Sequence, residues 1–166
     1  MKKIDLKSSS EPKPMRVTEL MIDDWGNTPK GDMKVRSICL DGTVFCGLTA
    51  TPSEWEKFTE YEISPIFLYW DTLMYNGFID QSKPPIDSCL LRDSERNLTV
   101  ELQSMGGESF DCTVRLEKMP TKNDNHGKSI CVVRLSGIKY IHELQHILHI
   151  TGVKIQINRS DSYASI

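Results

Sequence analysis

Residues 33–46 read Met33-Lys34-Val35-Arg36-Ser37-Ile38-Cys39-Leu40-Asp41-Gly42-Thr43-Val44-Phe45-Cys46. Apolar and polar side chains alternate from Met33 to Leu40, and a period of two puts them on opposite faces of a half-buried strand. Asp41-Gly42 supplies the positive φ of a tight hairpin turn, and Thr43 to Cys46 makes the returning strand. A further short strand is expected at Glu60-Tyr61-Glu62-Ile63, while Asp23-Asp24-Trp25-Gly26 reads as a turn. Several short strands joined by tight turns within about fifty residues predict a small SH3-like β-barrel or curled sheet over 15–63.

Outward from this block the pattern changes. Residues 1–14, with Lys, Ser, Glu and two prolines, have little to bury and are expected to be a disordered tail. After Pro65, Leu68 to Asn76 predicts a short helix stopped at Gly77. Ser82 to Asp87 is a loop around Pro84-Pro85. Strands are expected at Leu98–Leu102, Phe110–Leu116 and Ile130–Leu135 in an antiparallel meander, with a polar loop from Pro120 to Lys128. A final helix over Lys139 to Thr151 is stopped by Gly152. A terminal strand is expected at Val153–Ile157 and a flexible tail over 158–166. The fold class is therefore α+β: the β subdomain, then an antiparallel sheet with two helices over 64–157.

Composition narrows the function classes. The 166 residues carry 20 basic and 23 acidic side chains, a formal charge of −3, which gives no bulk attraction to nucleic acid or an anionic membrane. No apolar run reaches the roughly 18 residues of a membrane span, and the first residues lack the apolar core of a secretory signal. A cytoplasmic protein without membrane contact is expected. The five cysteines, Cys39, Cys46, Cys89, Cys112 and Cys131, are scattered without a CxxC pair, as reduced core thiols would be.

One motif invites chemistry. His142-Glu143-Leu144-Gln145-His146 satisfies H-E-x-x-H, in which two histidines on one helical face hold Zn²⁺ and the glutamate activates its water. On a helical wheel with Ile141 at zero, Tyr140, Ile141, Leu144, Ile147 and Leu148 fall between about 240° and 360°. His142, His146 and His149 fall near 100°, 140° and 80°, so the imidazole row is expected to face solvent. His149 lies about 10 Å along the axis from His142, too far to share one ion comfortably. Downstream of the helix stands no further His or Glu, and Asp161 is the one acidic residue. Neither a bound cofactor nor a catalytic role for Glu143 is expected, zinc being the alternative.

The chain shows no P-loop, no GxGxxG after a strand and no GxSxG elbow. Trp55, Tyr69 and Trp70, with Phe58 and Tyr75, offer an aromatic binding surface, against core packing as the plainer reading. Lys34 and Arg36, with Lys57, offer a modest basic edge for nucleic acid, against a solvated face.

Three segments in order carry a resemblance. Met15-Arg16-Val17-Thr18-Glu19-Leu20-Met21-Ile22-Asp23-Asp24-Trp25 is similar to the opening M-x-V-x-E-L-x-I-G-D-W-V of small proteins encoded by phages and integrated elements of Bacteroidota. Pro65-Ile66, Leu68, Leu73 and Asn76-Gly77-Phe78 resemble their central P-I-P-L-T-x-x-x-L-x-x-N-G-F. Ile138-Lys139-Tyr140-Ile141-His142-Glu143-Leu144-Gln145-His146, running on to Gly152, resembles their closing I-K-Y-V-H-x-L-Q-N. Asp23 stands where that pattern has glycine and Gly26 where it has valine. At Glu143 the pattern often has glutamine and at His146 asparagine, which implies that H-E-x-x-H here is a coincidence on a structural helix. The resemblance implies an origin in a mobile element and carries no activity with it. The reading that follows is a non-enzymatic accessory protein that binds a host or phage protein. A zinc hydrolase and a nucleic-acid-binding module are the alternatives.

Overall fold

In the computed structural model, which describes residues 13–104, 107–117, 129–153 and 157–158, the hairpin at Asp41-Gly42 forms. Gly42 has φ +83°, the Cys39 N–H donates to the Thr43 carbonyl at 2.8 Å, and the Thr43 N–H donates to the Asp41 carboxylate at 2.9 Å. The chain divides into two units, Met1–Ile66 and Phe67–Ile166. Each is built on one five-stranded antiparallel sheet, and the described residues add two α-helices, so the protein is α+β. No helix among the described residues is long and apolar enough to cross a membrane.

The first unit contains β1 (Trp25–Thr28), β2 (Gly31–Ile38), β3 (Thr43–Gly47), β4 (Glu56–Thr59) and β5 (Ser64–Pro65), in the order β4-β3-β2-β1-β5. Val35, Val44, Cys46, Phe58 and Ile63 bury one face together with Met15 and Leu20 from the lead-in segment. Met15 is tied there by its N–H, which donates to the Ile63 carbonyl at 2.8 Å. Burial also pushes the Cys46 thiol up to about 11, the behaviour of a core side chain.

Two expectations change here. The strand expected at Glu60–Ile63 is a single 3-10 turn, Glu60–Glu62, and the strand lies one step earlier as β4. The cause is local: the Glu62 carboxylate accepts from the Thr59 N–H and the Thr59 hydroxyl, both at 2.8 Å, so the backbone turns instead of extending. Trp25-Gly26, read as part of a turn, belongs to β1. A Cβ on Gly26 would lie 2.6 Å from Ile63 Cγ2, so this glycine marks a close approach and not a bend. Among the described residues the ladder runs from β4 to β5 without closing into a barrel.

The second unit contains α1 (Trp70–Tyr75), β6 (Ile79–Asp80), β7 (Asp87–Asp93), β8 (Leu98–Ser104), β9 (Phe110–Glu117), β10 (Ser129–Ile138) and α2 (Ile141–Ile150). Its sheet has the order β10-β9-β8-β7-β6, a pure meander. The strands expected at 98–102, 110–116 and 130–135 are present and longer, while β6 and β7 were not foreseen. Asp87-Ser88-Cys89-Leu90-Leu91-Arg92-Asp93 puts its apolar residues in one central run, so period two hardly shows. The loop expected at 120–128 and most of the strand expected at 153–157 lie outside the described residues.

Both helices end in the same way. Gly77 (φ +84°) donates to the Met74 carbonyl and Phe78 to the Leu73 carbonyl, each at 3.1 Å. Gly152 (φ +75°) donates to the His149 carbonyl at 3.1 Å and Val153 to the Leu148 carbonyl at 2.8 Å. These are paired Schellman motifs, and the buried pairs Leu73 with Phe78 and Leu148 with Val153 occupy the positions of their usual apolar contact. The lead-in segments of the two helices are joined as well. Phe67 bridges Tyr140, Leu68 N–H donates to the Lys139 carbonyl at 2.7 Å, and the Phe67 and Tyr140 rings lie 5.2 Å apart.

Candidate functional site

The H-E-x-x-H helix is built for support. Tyr140, the residue before α2, is extended (φ −120°, ψ 152°), and Glu143 occupies the third helical position. The Glu143 carboxylate accepts from the Lys139 N–H at 2.7 Å and from the Tyr140 N–H at 3.0 Å, the reach-back half of a capping box. Both bonds end on the same oxygen, Oε2.

The histidines are not a solvated row. His142 is 7% exposed, while His146 is half-buried and His149 exposed. The Tyr140 ring stacks on the His142 imidazole with centroids 5.7 Å apart and planes at 13°. His146 meets the other imidazole edge-on, also at 5.7 Å. The wheel failed at His142 because it treated Tyr140 as helical. As an extended cap residue, Tyr140 places its ring over the first turn and covers the imidazole. Among the described residues no group of three or more His, Cys, Asp or Glu side chains is gathered closely enough to hold a metal ion.

The remaining sequence-predicted residues are divided between the two units. In the first, the Arg36 guanidinium pairs with the Asp23 carboxylate at 2.5 Å and donates to the carbonyls of Gly47 (3.1 Å) and Leu48 (3.0 Å). Arg36 thus ties β2 to the end of β3 and is not a loose cation for phosphate. Lys34 lies over the Trp25 ring, Nζ to centroid 5.2 Å, and partial burial lowers its pKa, with Asp23 opposing and Arg36 adding to the shift. Trp55 is half-buried over Gly47, where a Cβ would come within 2.7 Å of its ring, and its indole N–H donates to the Thr49 carbonyl. In the second unit Trp70 stacks against Phe110 at 6.4 Å, a packing role, and Tyr69 is exposed beside Phe67 at 6.2 Å. No single aromatic surface gathers Trp55, Tyr69 and Trp70 within one unit.

A different surface stands out, in the second sheet. The register aligns three rows of side chains on its core face: Cys89–Leu102–Cys112–Leu135, Leu91–Val100–Val114–Val133 and Leu98–Leu116–Ile130. Every member on β7 and β8 is buried, as are Cys112 and Val114 on β9. Burial pushes the Cys89 and Cys112 thiols up to about 12. At the β10 end the rows run out into solvent: Leu116 is 36% exposed, Ile130 45% and Leu135 47%, with Val133 half-buried. Among the described residues β10 is the last strand of the sheet, and its ten residues include one charge, Arg134. Exposed apolar side chains that continue a core face are, in general, the mark of a protein or membrane contact or a ligand groove. The signal was present in Ile130-Cys131-Val132-Val133-Arg134-Leu135, which is apolar on both faces.

Comparison with protein-family models, with curated proteins and with solved structures finds no match for the chain.

Proposed function

We propose that this chain is a non-enzymatic accessory protein of a phage or mobile element that acts in the cytoplasm by binding a host or phage protein. The contact lies at the β10 end of its second sheet. The observation that carries this reading is the set Leu116, Ile130, Val133 and Leu135, which continues the buried face of the sheet and is exposed or half-buried among the described residues. The order β4-β3-β2-β1-β5, with a 3-10 turn between β4 and β5, supports an SH3-like identity for the first unit. Asp23 supports the resemblance to the mobile-element proteins: it has φ +72° at the position where their pattern has glycine, the residue that adopts this conformation without strain.

The test compares the untagged chain with an Ile130→Lys/Leu135→Lys variant in affinity capture from the infected host. Both side chains are about half exposed, so the variant should stay folded. A partner held by the parent and released by the variant is the expected result. Capture of no specific protein, or equal capture by both, contradicts the proposal.

A zinc-dependent hydrolase is the second reading, favoured by the 5.7 Å spacing of the His142 and His146 rings on one helix. Stoichiometric zinc in untagged protein, lost in His142→Ala, would carry it. Glu143's engagement as a cap weighs against it. The nucleic-acid alternative rests on Lys34 and Arg36. With Arg36 held by Asp23 and two carbonyls, no salt-dependent gel shift is expected.

A further inference from the structure

We draw no further inference here: the strongest candidate, the apolar side chains Ile130, Val133 and Leu135 of strand β10 with Leu116 of β9 in the second sheet, belongs to the surface already proposed for binding, and nothing in the structure shows which partner covers it.

Discussion

Glu143 accepts from two backbone N–H groups through one oxygen, the bonding of a helix cap. Glutamine can accept the same bonds but cannot take a proton from water, whereas alanine can do neither. Glu143→Gln should therefore unfold in urea at nearly the parent midpoint, and Glu143→Ala should lose about 1 kcal/mol. Equal loss in both variants would show that the charge, not the capping geometry, is what matters. Asn76 makes a second residue-scale claim. Its amide donates to the Thr72 carbonyl at 2.7 Å and to the Asn158 carbonyl at 2.6 Å, while its oxygen accepts the Asn158 N–H at 2.6 Å. One side chain thus pins a segment 82 positions away, next to fully buried Ile157. In Asn76→Ala the Asn158 amide should exchange with solvent markedly faster, and stability should fall by about 1 kcal/mol. Unchanged exchange at Asn158 would count against this clamp.

At the scale of elements, helix ends were legible in the sequence because they need a left-handed residue, and Gly77 and Gly152 announce it. Each replaced by alanine should cost about 1 kcal/mol in chemical denaturation, and an unchanged midpoint would contradict the Schellman assignment. β2 and β3 were legible for a similar reason, since alternation and Asp-Gly both appear within fourteen letters of sequence. β1 and β7 were not. Gly26 has its place through contact with a distant Ile63, and the Cys89-Leu90-Leu91 run carries no period; both facts are tertiary. The candidate site was legible only as a list of residue types. Arg36 and Trp55 were named, but nothing in the sequence says that β2 and β3 bring Arg36 to Asp23 and to the Gly47 carbonyl. The cysteines give the element scale a pH test. From an ordinary value near 9, burial raises the thiols of Cys46 to about 11 and of Cys89 and Cys112 to about 12. The unfolded chain therefore releases these protons first, and stability should decline from about pH 9 upward, continuing until the folded-state values are passed. At pH 8 a thiol reagent should label exposed Cys131 rapidly and these three only on unfolding. Rapid native labelling of Cys112 would refute the packing of β9.

For the whole molecule, the balance of buried and exposed apolar surface matters most. Among the described residues of the second unit the core face is buried over β7, β8 and most of β9 and exposed at β10. A ten-residue outer strand bearing a single charge is usually protected by lysine, proline or bulges. β10 shifts register between Cys131 and Val133 and again between Leu135 and Ile138, so bulges twist it and discourage indiscriminate pairing. Among the described residues its apolar side chains Ile130, Val133 and Leu135 stay exposed or half-buried, so the proposed partner is expected to lie on the face and not to add to the edge. Hydrogen–deuterium exchange of the chain with and without its captured partner tests this most directly. Protection concentrated in residues 129–138 and at Leu116 is the predicted result; protection confined to the first unit or to the α2 histidines, with 129–138 unchanged, would contradict it.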